Sequence, residues 1–598
     1  MNDSQTNVGP ESATPAGRKS GSARGTAVKV AALLLATLCL VIGAACWFRA
    51  PRDGDNPPPP TSSETSPETD EGHFQGWPKG KPAFVLVLSG QQHGYLLPCG
   101  CSDPQYGGLV RRYNFVESLK ARGWDVVAYD LGDVPQIQGP AKLPNIQGLI
   151  KYRYAMDAMK LIGYSAVSFG EYEAALPLTA AMDEYALNNK EPVVLAANLL
   201  GKDKDFSDPA RTAPEWGKSY VGSWQVTATP GGINVGATGI IGTHDPEAID
   251  DLIKKGLLPA NVNIPTSVGG EITRIDSRFK FEGANKAVPA GLAAMGVKKP
   301  DFRVLLYQGP PELAKVLAQV APQFNVILCV DVDEPPQRQI VVNHPGGRET
   351  FIVRVGHKGK YVGLVGVYAT GKPGNPFEMH YHLESMGPKY ATPAAKVKDH
   401  PIVALMENYT KELKRDDYLA MYGKVPHATQ AALKGMPGFA GAKAGYAGSD
   451  SCRQCHPHAY DVWKDSKHHV AYNTLVTAKN PSLREYDAEC IVCHTVGFRY
   501  QDGFANEKAT PKLKDVGCES CHGPCDIHKK NPNNAALYAL INPWKAPKDE
   551  TPAQKGQRMG RIEGMCRECH DEENDVHWNF AAKWVPKKII HMTPPPND

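Results

Sequence analysis

Four copies of the sequence Cys-x-x-Cys-His, all within residues 449–598, constrain this chain more than any other feature. The cysteines are Cys452, Cys455, Cys490, Cys493, Cys518, Cys521, Cys566 and Cys569, and the histidines that follow the four pairs are His456, His494, His522 and His570. This spacing is typical of covalent c-type haem attachment, in which the two thiols bond the porphyrin. The adjacent histidine then ligates the iron as its proximal ligand. The sequence therefore predicts four covalently bound haem c groups.

Two other interpretations of the repeated cysteine pairs fit less well. Paired Cys-x-x-Cys sequences also build tetrahedral zinc sites, but zinc does not require a histidine after every second cysteine. Four disulfides would not require that histidine either. The region has few aliphatic runs, so we expect the haems to supply much of its apolar core and the haem-free chain to fold poorly. Six further histidines are candidates for the sixth iron position: His458, His468, His469, His528, His577 and His591.

The segments around these motifs match those of a known family. Residues 463–468 follow the first motif, residues 517–528 surround the third, and residues 584–591 follow the fourth. Together they resemble the tetrahaem cytochromes of the cytochrome c-554 type, which are electron acceptors of hydroxylamine oxidoreductase. The resemblance implies bis-histidine haems whose distal ligands are His468, His528 and His591. His469 is the alternative to His468.

The same resemblance implies one five-coordinate haem, attached through the second motif. His458 and His577 are the alternatives for its open position. The sequence departs from the family at Cys525, where glycine is common. A thiol there is either a buried residue without a special role or an additional redox-sensitive group.

The N-terminal segment predicts export. Four basic residues precede an uncharged apolar run over residues 30–48: Arg18, Lys19, Arg24 and Lys29. A run of this length comes close to spanning a hydrocarbon core of about 30 Å, and the basic flank at residues 1–29 is expected to stay cytoplasmic. A signal peptide cleaved near residues 43–45 and a lipoprotein site at Cys46 are the alternatives. All three place the bulk of the chain on the periplasmic side of a bacterial cell membrane.

Composition and hydrophobic pattern divide the rest of the chain. Residues 49–79 are rich in Pro, Ser and Thr, which predicts a disordered tether. Residues 80–390 alternate apolar strands with amphipathic segments such as 113–122, which predicts an α/β domain. Residues 391–448 form a helical connector and linker, and residues 449–598 form the haem domain. The predicted strands are 84–88, 126–130, 166–169, 193–197, 235–241, 304–307 and 326–330.

Residues 80–390 resemble the metallophosphoesterase domain of the 5′-nucleotidase family. The matching segments begin at His93, Gly107, Asp130 and Leu161, and Asn198 and residues 356–367 extend the match. The resemblance implies a sandwich with a two-metal centre that clamps phosphate and activates water. Only His93 and Asp133 keep the family's ligand identities.

The other ligand positions of that centre have changed. The expected Asp, His and His are replaced by Gln91, Tyr172 and Gln308, and a Gly-His-x-His segment has become residues 330–333. We therefore predict a catalytically degenerate domain. A divalent cation held by carboxylates is the alternative; the candidates are Glu171, Asp331 and Asp333. Cys99 and Cys101 are candidates to approach Cys329, either as a disulfide or as soft-metal ligands. The alternative is that the three cysteines are unrelated.

The fold class predicted is thus multidomain: a membrane anchor, an α/β metallophosphoesterase-like sandwich and a mostly helical and loop multihaem cytochrome c domain. The net charge of +3 argues against nucleic-acid binding. Haem propionates would make the haem domain acidic, which favours redox partner proteins that present a basic patch. The predicted function is electron transfer. The alternatives are a redox enzyme acting on a small nitrogen or sulfur compound at the five-coordinate haem, and a hydrolase with a remodelled metal centre.

Overall fold

The computed structural model describes residues 74–176, 185, 191–201, 221–242, 251–259 and 279–584. The predicted anchor at residues 30–48, most of the predicted tether and His591 lie outside these residues. Within the described ranges, no helix combines the length and apolar character needed to cross a membrane. The membrane anchor therefore stays a prediction.

Two six-stranded sheets form the centre of the α/β region. The described strands are β1 (Phe84–Ser89), β2 (Val126–Asp130), β3 (Tyr164–Ser168), β4 (Val193–Leu195), β5 (Leu199–Gly201), β6 (Trp224–Ala228), β7 (Asn234–Ile241), β8 (Phe279–Phe281), β9 (Phe302–Gln308), β10 (Val326–Cys329), β11 (Ile340–Asn343), β12 (Glu349–Val353), β13 (Tyr361–Lys372) and β14 (Asn375–Ser385). The first sheet has the order β14-β13-β1-β2-β3-β4, and the second has the order β11-β12-β10-β9-β7-β6. Strands β5 and β8 form a separate antiparallel pair.

Each large sheet has a parallel centre. Strands β1 to β4 run parallel in the first sheet, and β7, β9, β10 and β12 run parallel in the second. Central parallel strands are buried on both faces, so they read as continuous apolar runs such as that of β1. Every predicted strand overlaps an observed one, because these runs leave little ambiguity about burial.

Helices cover the outer faces of both sheets. The described helices are α1 (Leu109–Ala121), α2 (Gly148–Ile162), α3 (Glu171–Ala175), α4 (Ala284–Gly296), α5 (Pro311–Val320), α6 (Pro401–Arg415), α7 (Tyr418–Met421), α8 (Ala428–Lys434), α9 (Pro457–Lys464), α10 (Ala471–Val476), α11 (Ala488–His494), α12 (Cys518–His522), α13 (Asp526–Lys530), α14 (Ala535–Ile541), α15 (Pro552–Cys566) and α16 (Phe580–Lys583). Helices α1, α2 and α6 pack on the first sheet, and α4 and α5 pack on the second.

The core between the sheets completes a four-layer sandwich. Phe84 and Leu86 of β1 lie in one buried cluster with Phe302 and Val304 of β9. The rings of Phe84 and Phe302 meet edge to face with their centroids 5.2 Å apart. The predicted α/β sandwich is confirmed, and we call residues 80–390 together with α6 the sandwich domain.

The C-terminal region is built from short helices and loops, as predicted. Its largest apolar cluster includes Ile491, Phe498 and Phe504, and it also contains Leu143 of the sandwich domain. We call residues 449–584 the haem region. Because this cluster takes side chains from both parts of the chain, the haem region and the sandwich domain share buried apolar surface.

Candidate functional site

The four attachment motifs lie in two adjacent pairs. The thiols of Cys452 in the first motif and Cys518 in the third are close enough to shift each other's pKa, raising that of Cys452 and lowering that of Cys518. In the same way Cys493 of the second motif interacts with Cys569 of the fourth, which raises the pKa of Cys493 and lowers that of Cys569. Helix α11 carries the second motif and α12 the third, while α15 ends at the first cysteine of the fourth. The fold therefore concentrates all four motifs in one region.

Three of the motif histidines are oriented by hydrogen bonds from Nδ1. His494 donates to the carbonyl oxygen of Ala471 at 2.6 Å, and His522 donates to that of Ile541 at 2.8 Å. His570 Nδ1 lies 2.9 Å from a carboxylate oxygen of Asp575. A histidine that donates from Nδ1 keeps the Nε2 lone pair free for a metal, and the acceptor fixes the direction of the ring. These three side chains therefore fit proximal iron ligation.

His468, a predicted distal ligand, lies near a motif histidine. Its ring centroid lies 6.2 Å from that of His570. Two imidazoles that bind one metal from opposite sides have centroids about 6.3 Å apart, given metal–nitrogen bonds of about 2.0 Å. The separation fits an axial pair at the fourth motif. The alternative, His469, instead packs its ring edge-on against Trp463 with centroids 4.7 Å apart.

His528, the second predicted distal ligand, lies beside the first motif. Its Nδ1 is buried and has no hydrogen-bond partner among the described residues. Burial lowers the pKa of His528, and the neighbouring His456 lowers it further. His528 also lies near His522, so it is close to the histidines of both the first and the third motif. Its role as a distal ligand stays a prediction.

His577, an alternative iron ligand for the haem of the second motif, contacts the sandwich domain. Its Nε2 lies 2.7 Å from the carbonyl oxygen of Asp103 in the sandwich domain. This bond directs the ring nitrogen toward the sandwich domain. The five-coordinate state of the second haem stays a prediction.

The candidate metal site of the sandwich domain lies at the carboxyl ends of the strands, and internal hydrogen bonds occupy its replaced positions. Gln91 follows β1, and its Oε1 accepts a bond from the amide of Asp331 at 3.1 Å. Gln308 ends β9 and donates to the carbonyl oxygen of Leu131 at 2.8 Å. The ring of Tyr172 stacks on His93 with centroids 4.3 Å apart. At these replaced positions the two glutamines are bonded to backbone groups, and the tyrosine ring stacks on a histidine.

Two buried carboxyl groups remain beside these side chains. Asp133 accepts a bond from the amide of Tyr172 at 2.9 Å, and Glu173 accepts bonds from the amides of Asp133, Val134 and Gly170. Burial raises the pKa of Asp133 to about 6 and that of Glu173 to about 8. Burial, with help from the nearby His357 and Lys358, lowers the pKa of His93 to about 3.

No group of three or more Cys, His, Asp or Glu side chains is positioned to hold a metal ion in the described part of the chain. One oxygen of Asp331 is buried without a hydrogen-bond partner there, and its other oxygen accepts from the amide of Asp333 at 3.0 Å. The proposed carboxylate-bound cation is therefore not supported by a preformed ligand set.

Cys99, Cys101 and Cys329 are all free, so the disulfide considered between Cys329 and the other two is not formed. Cys329 is buried in β10, beneath α5. Cys99 and Cys101 lie close enough to Cys490 of the second attachment motif to interact with it electrostatically.

A buried polar contact also joins helix α2 of the sandwich domain to helix α11. Lys151 forms an ion pair with Glu489, and the two side chains are 11% and 12% exposed. Gln136 accepts from Lys151 at 2.7 Å and donates to Glu489 at 2.6 Å. Gln147 donates to Asp487, which caps the N-terminus of α11, at 3.0 Å. The sandwich domain therefore positions the helix that carries the second motif.

Comparison with known proteins supports both halves of this description. A family model described as cytochrome c554 and c-prime matches residues 451–523. The chain is 31% identical over 157 residues to cytochrome c-554 of Nitrosomonas europaea. The C-terminal region resembles the cytochrome c-554 family. The match covers 24% of this chain and 66% of that cytochrome, just under two thirds of its length.

The sandwich domain resembles 5′-nucleotidases and calcineurin-like phosphoesterases. A 5′-nucleotidase of Diplobatis ommata is 30% identical over 110 residues, which cover 17% of each chain. Among solved structures, the 5′-nucleotidase precursor of Thermus thermophilus is 18% identical with a TM-score of 0.40, and the match covers 57% of this chain and 60% of that one. The phosphoesterase YfkN of Bacillus subtilis is 12% identical with a TM-score of 0.37, covering 55% of this chain and 97% of that one.

Five residues in or around the haem region were not predicted from sequence. Asp575 orients His570. Lys151 and Glu489 form the ion pair between α2 and α11, and Gln105 and Arg484 hold the loop that carries Cys99. Asp575 lies five residues after a motif histidine, so its position in sequence was the one available signal. The other four act across long sequence separations, and no local pattern marks them.

Proposed function

We propose that this chain is an exported tetrahaem c-type cytochrome that transfers electrons, with a non-hydrolytic sandwich domain held against its haem region. The observation that carries the proposal is the 6.2 Å separation between the rings of His468 and His570. This spacing suits an iron whose two axial positions are both filled by the protein. Such an iron has no open position for a substrate, which favours electron transfer over catalysis at that haem.

We assign residues to each haem from the attachment motifs and, for His468 and His528, from the motif histidines near them; the assignment of His591 rests on the resemblance alone. The eight motif cysteines attach the four groups, and His456, His494, His522 and His570 serve as proximal ligands. His468 completes the fourth-motif haem, His528 the first, and His591 a third. When bound, the haems supply one-electron redox chemistry. The Asp575 carboxylate attracts the Nδ1 proton of His570. It therefore makes His570 a stronger ligand, through Nε2, than a neutral carbonyl acceptor would.

The role proposed for the sandwich domain is structural. Its α2 helix forms a buried ion pair with the helix of the second motif. At two positions where the resemblance implies metal ligands, Gln91 and Gln308 form hydrogen bonds with the backbone of Asp331 and Leu131. A membrane anchor at residues 30–48 would place the domain at the periplasmic face of a bacterial cell membrane. Redox proteins that present a basic patch to the haem propionates are the proposed partners.

We expect the purified chain to retain four covalent haems. The protein should be produced in a host that matures c-type cytochromes and measured by mass spectrometry after denaturation. Thioether bonds survive denaturation, so the mass should exceed that of the polypeptide by four haems. A fully matured preparation that carries fewer haems would contradict the count. Replacing both Cys490 and Cys493 with Ala should lower the number by one, which checks that each motif binds its own group.

We expect no turnover of nucleoside monophosphates or of an aryl phosphate, whichever of Mn²⁺, Zn²⁺, Mg²⁺ or Ca²⁺ is supplied. Two-metal hydrolysis needs several ligands around each of two ions about 3.5–4 Å apart, and Gln91 and Gln308 are committed to internal hydrogen bonds. A metal-dependent phosphatase assayed in parallel serves as the positive control. Turnover that requires metal and disappears in an Asp133→Ala variant would show a rebuilt centre.

A further inference from the structure

The loop of residues 98–105, which we call the CGC loop, carries two cysteines that the proposed function does not use. Gly100 has a φ of +76°, a left-handed conformation that glycine adopts without strain. The turn brings the two cysteines together: the amide of Cys101 donates to the sulfur of Cys99 at 3.1 Å, and the two free thiols are close enough to shift each other's pKa. Cysteines this close in space are able to form a disulfide with little movement of the backbone.

Cys99 has the surroundings of a reactive thiol. Gln105 donates from Nε2 to the sulfur of Cys99 at 3.1 Å and accepts from the amide of Gly100 at 2.7 Å. The hydrogen bond from Cys101, with those from Gln105 and the Cys101 amide, lowers the pKa of Cys99 to about 7. A thiolate is the form that reacts in disulfide chemistry. Cys101 is exposed, so solvent and small reagents reach the pair.

The CGC loop is held by segments that flank two attachment motifs. Arg484, which precedes the second motif, donates to the carbonyl oxygen of Cys99. Gln105 donates to the carbonyl oxygen of Glu573, just after the fourth motif, at 2.6 Å. The amide of Val576 donates to the hydroxyl of Ser102 at 3.0 Å.

This placement brings the two thiols next to the second attachment motif. The pKa of Cys101 is raised mainly because its thiol donates to Cys99, and Cys490 is close enough to raise it further electrostatically. The pair is therefore in the immediate surroundings of the second haem attachment site, although the loop belongs to the sandwich domain.

We propose that Cys99 and Cys101 form a redox-active dithiol that passes electrons to the haems of this chain, which rests on the proposed function. Oxidation breaks two S–H bonds and forms one S–S bond between the two sulfurs. Two protons go to solvent. Two electrons leave, and two ferric haem irons accept one each and become ferrous. The CGC loop thereby links two-electron thiol chemistry to one-electron carriers. External dithiols or other disulfide reductants are the class of donor that returns the disulfide to the dithiol form.

The first test maps the thiols of the wild-type holoprotein and needs no variant. The protein is oxidised to the ferric state under argon, alkylated and digested. We expect a peptide in which Cys99 and Cys101 are joined by a disulfide, two hydrogens lighter than the dithiol form. After full reduction both should be alkylated. Two alkylated cysteines in the ferric protein would overturn the proposal.

The second test supplies electrons through a water-soluble phosphine, which reduces disulfides. The ferric wild-type protein under argon should develop the absorbance of ferrous haem. The Cys99→Ser/Cys101→Ser variant should lose this response. The matched control is Cys525→Ser, which removes another thiol near an attachment motif, one whose sulfur is hydrogen-bonded to the Gly523 carbonyl. The control should respond like the wild type.

The outcomes separate this proposal from the proposed function. Equal ferrous absorbance in the wild type and the double variant overturns the dithiol while leaving the haem count untouched. Fewer than four haems by mass, with the phosphine response still dependent on the two cysteines, contradicts the tetrahaem assignment and supports the dithiol. If the double variant loses haem, its mass will show the loss. In that case the alkylation map of the wild-type protein decides whether Cys99 and Cys101 form the dithiol.

Discussion

Replacing Lys151 with methionine is expected to lower the free energy of unfolding of the holoprotein by about 3–5 kcal/mol. Lys151 and Glu489 are 11% and 12% exposed, so water screens their interaction weakly. Methionine keeps most of the side-chain volume but leaves the Glu489 carboxylate buried without its cation. An unpaired buried charge costs more than the ion pair itself contributes. The measurement is urea unfolding: the urea concentration at the unfolding midpoint should fall, while the dependence of the unfolding free energy on urea concentration stays the same.

A second ion pair between the same two parts of the chain gives a matched control. Lys142 lies 2.9 Å from Glu568, but its side chain is 72% exposed. Lys142→Met should therefore cost at most about 1 kcal/mol. Adding Glu489→Leu to the Lys151→Met variant should restore much of the lost stability, because the uncompensated charge is removed. Equal midpoints for the two lysine variants would show that the pair does not join α2 to α11 in solution.

Replacing His468 with alanine is expected to convert one haem from low spin to high spin. The ring of His468 lies 6.2 Å from that of His570, so the fourth-motif iron would lose its second axial imidazole. Loss of a strong axial donor also raises the reduction potential of that haem. Electron paramagnetic resonance of the ferric protein gives the spin state, and a redox titration gives the potential.

His469→Ala is the control for this variant, because it removes the adjacent histidine whose ring packs on Trp463. It should leave all haem spin states unchanged. His528→Ala should produce a second, independent high-spin haem at the first motif. The axial assignment is contradicted when His469→Ala changes the spectrum and His468→Ala does not.

The chemistry of the haem sites could be predicted from the sequence because it depends on local spacing. Two cysteines three residues apart with a histidine after the second are contiguous in the chain, so Cys566, Cys569 and His570 are recognisable without a fold. The buried strands were also predictable, since a run such as residues 84–88 is apolar at every position and central parallel strands are buried on both faces.

The same local reasoning failed where distant segments meet. Cys99 and Cys101 follow the His93 segment and were considered as neighbours of Cys329, which precedes Asp331. Cys329 is buried in β10, whereas the loop of Cys99 is held by residues that flank the second and fourth motifs. Helix α6, inside the predicted connector, packs Ile402 and Met406 into the core of the first sheet. Amphipathic spacing predicts that such a helix has a buried face, but not which surface covers it.

By itself, then, the sequence determined where the attachment motifs lie, which strands are buried and which positions of the sandwich domain differ from the family it resembles. Only the tertiary structure decided which histidines lie near each other, as His468 and His570 do. It also decided that Lys151 meets Glu489 and that Cys99 and Cys101 lie beside the second motif. Attachment motifs and buried strands are encoded within a few consecutive residues. Contacts between domains depend on how the sheets and helices pack, and that packing depends on the whole chain at once.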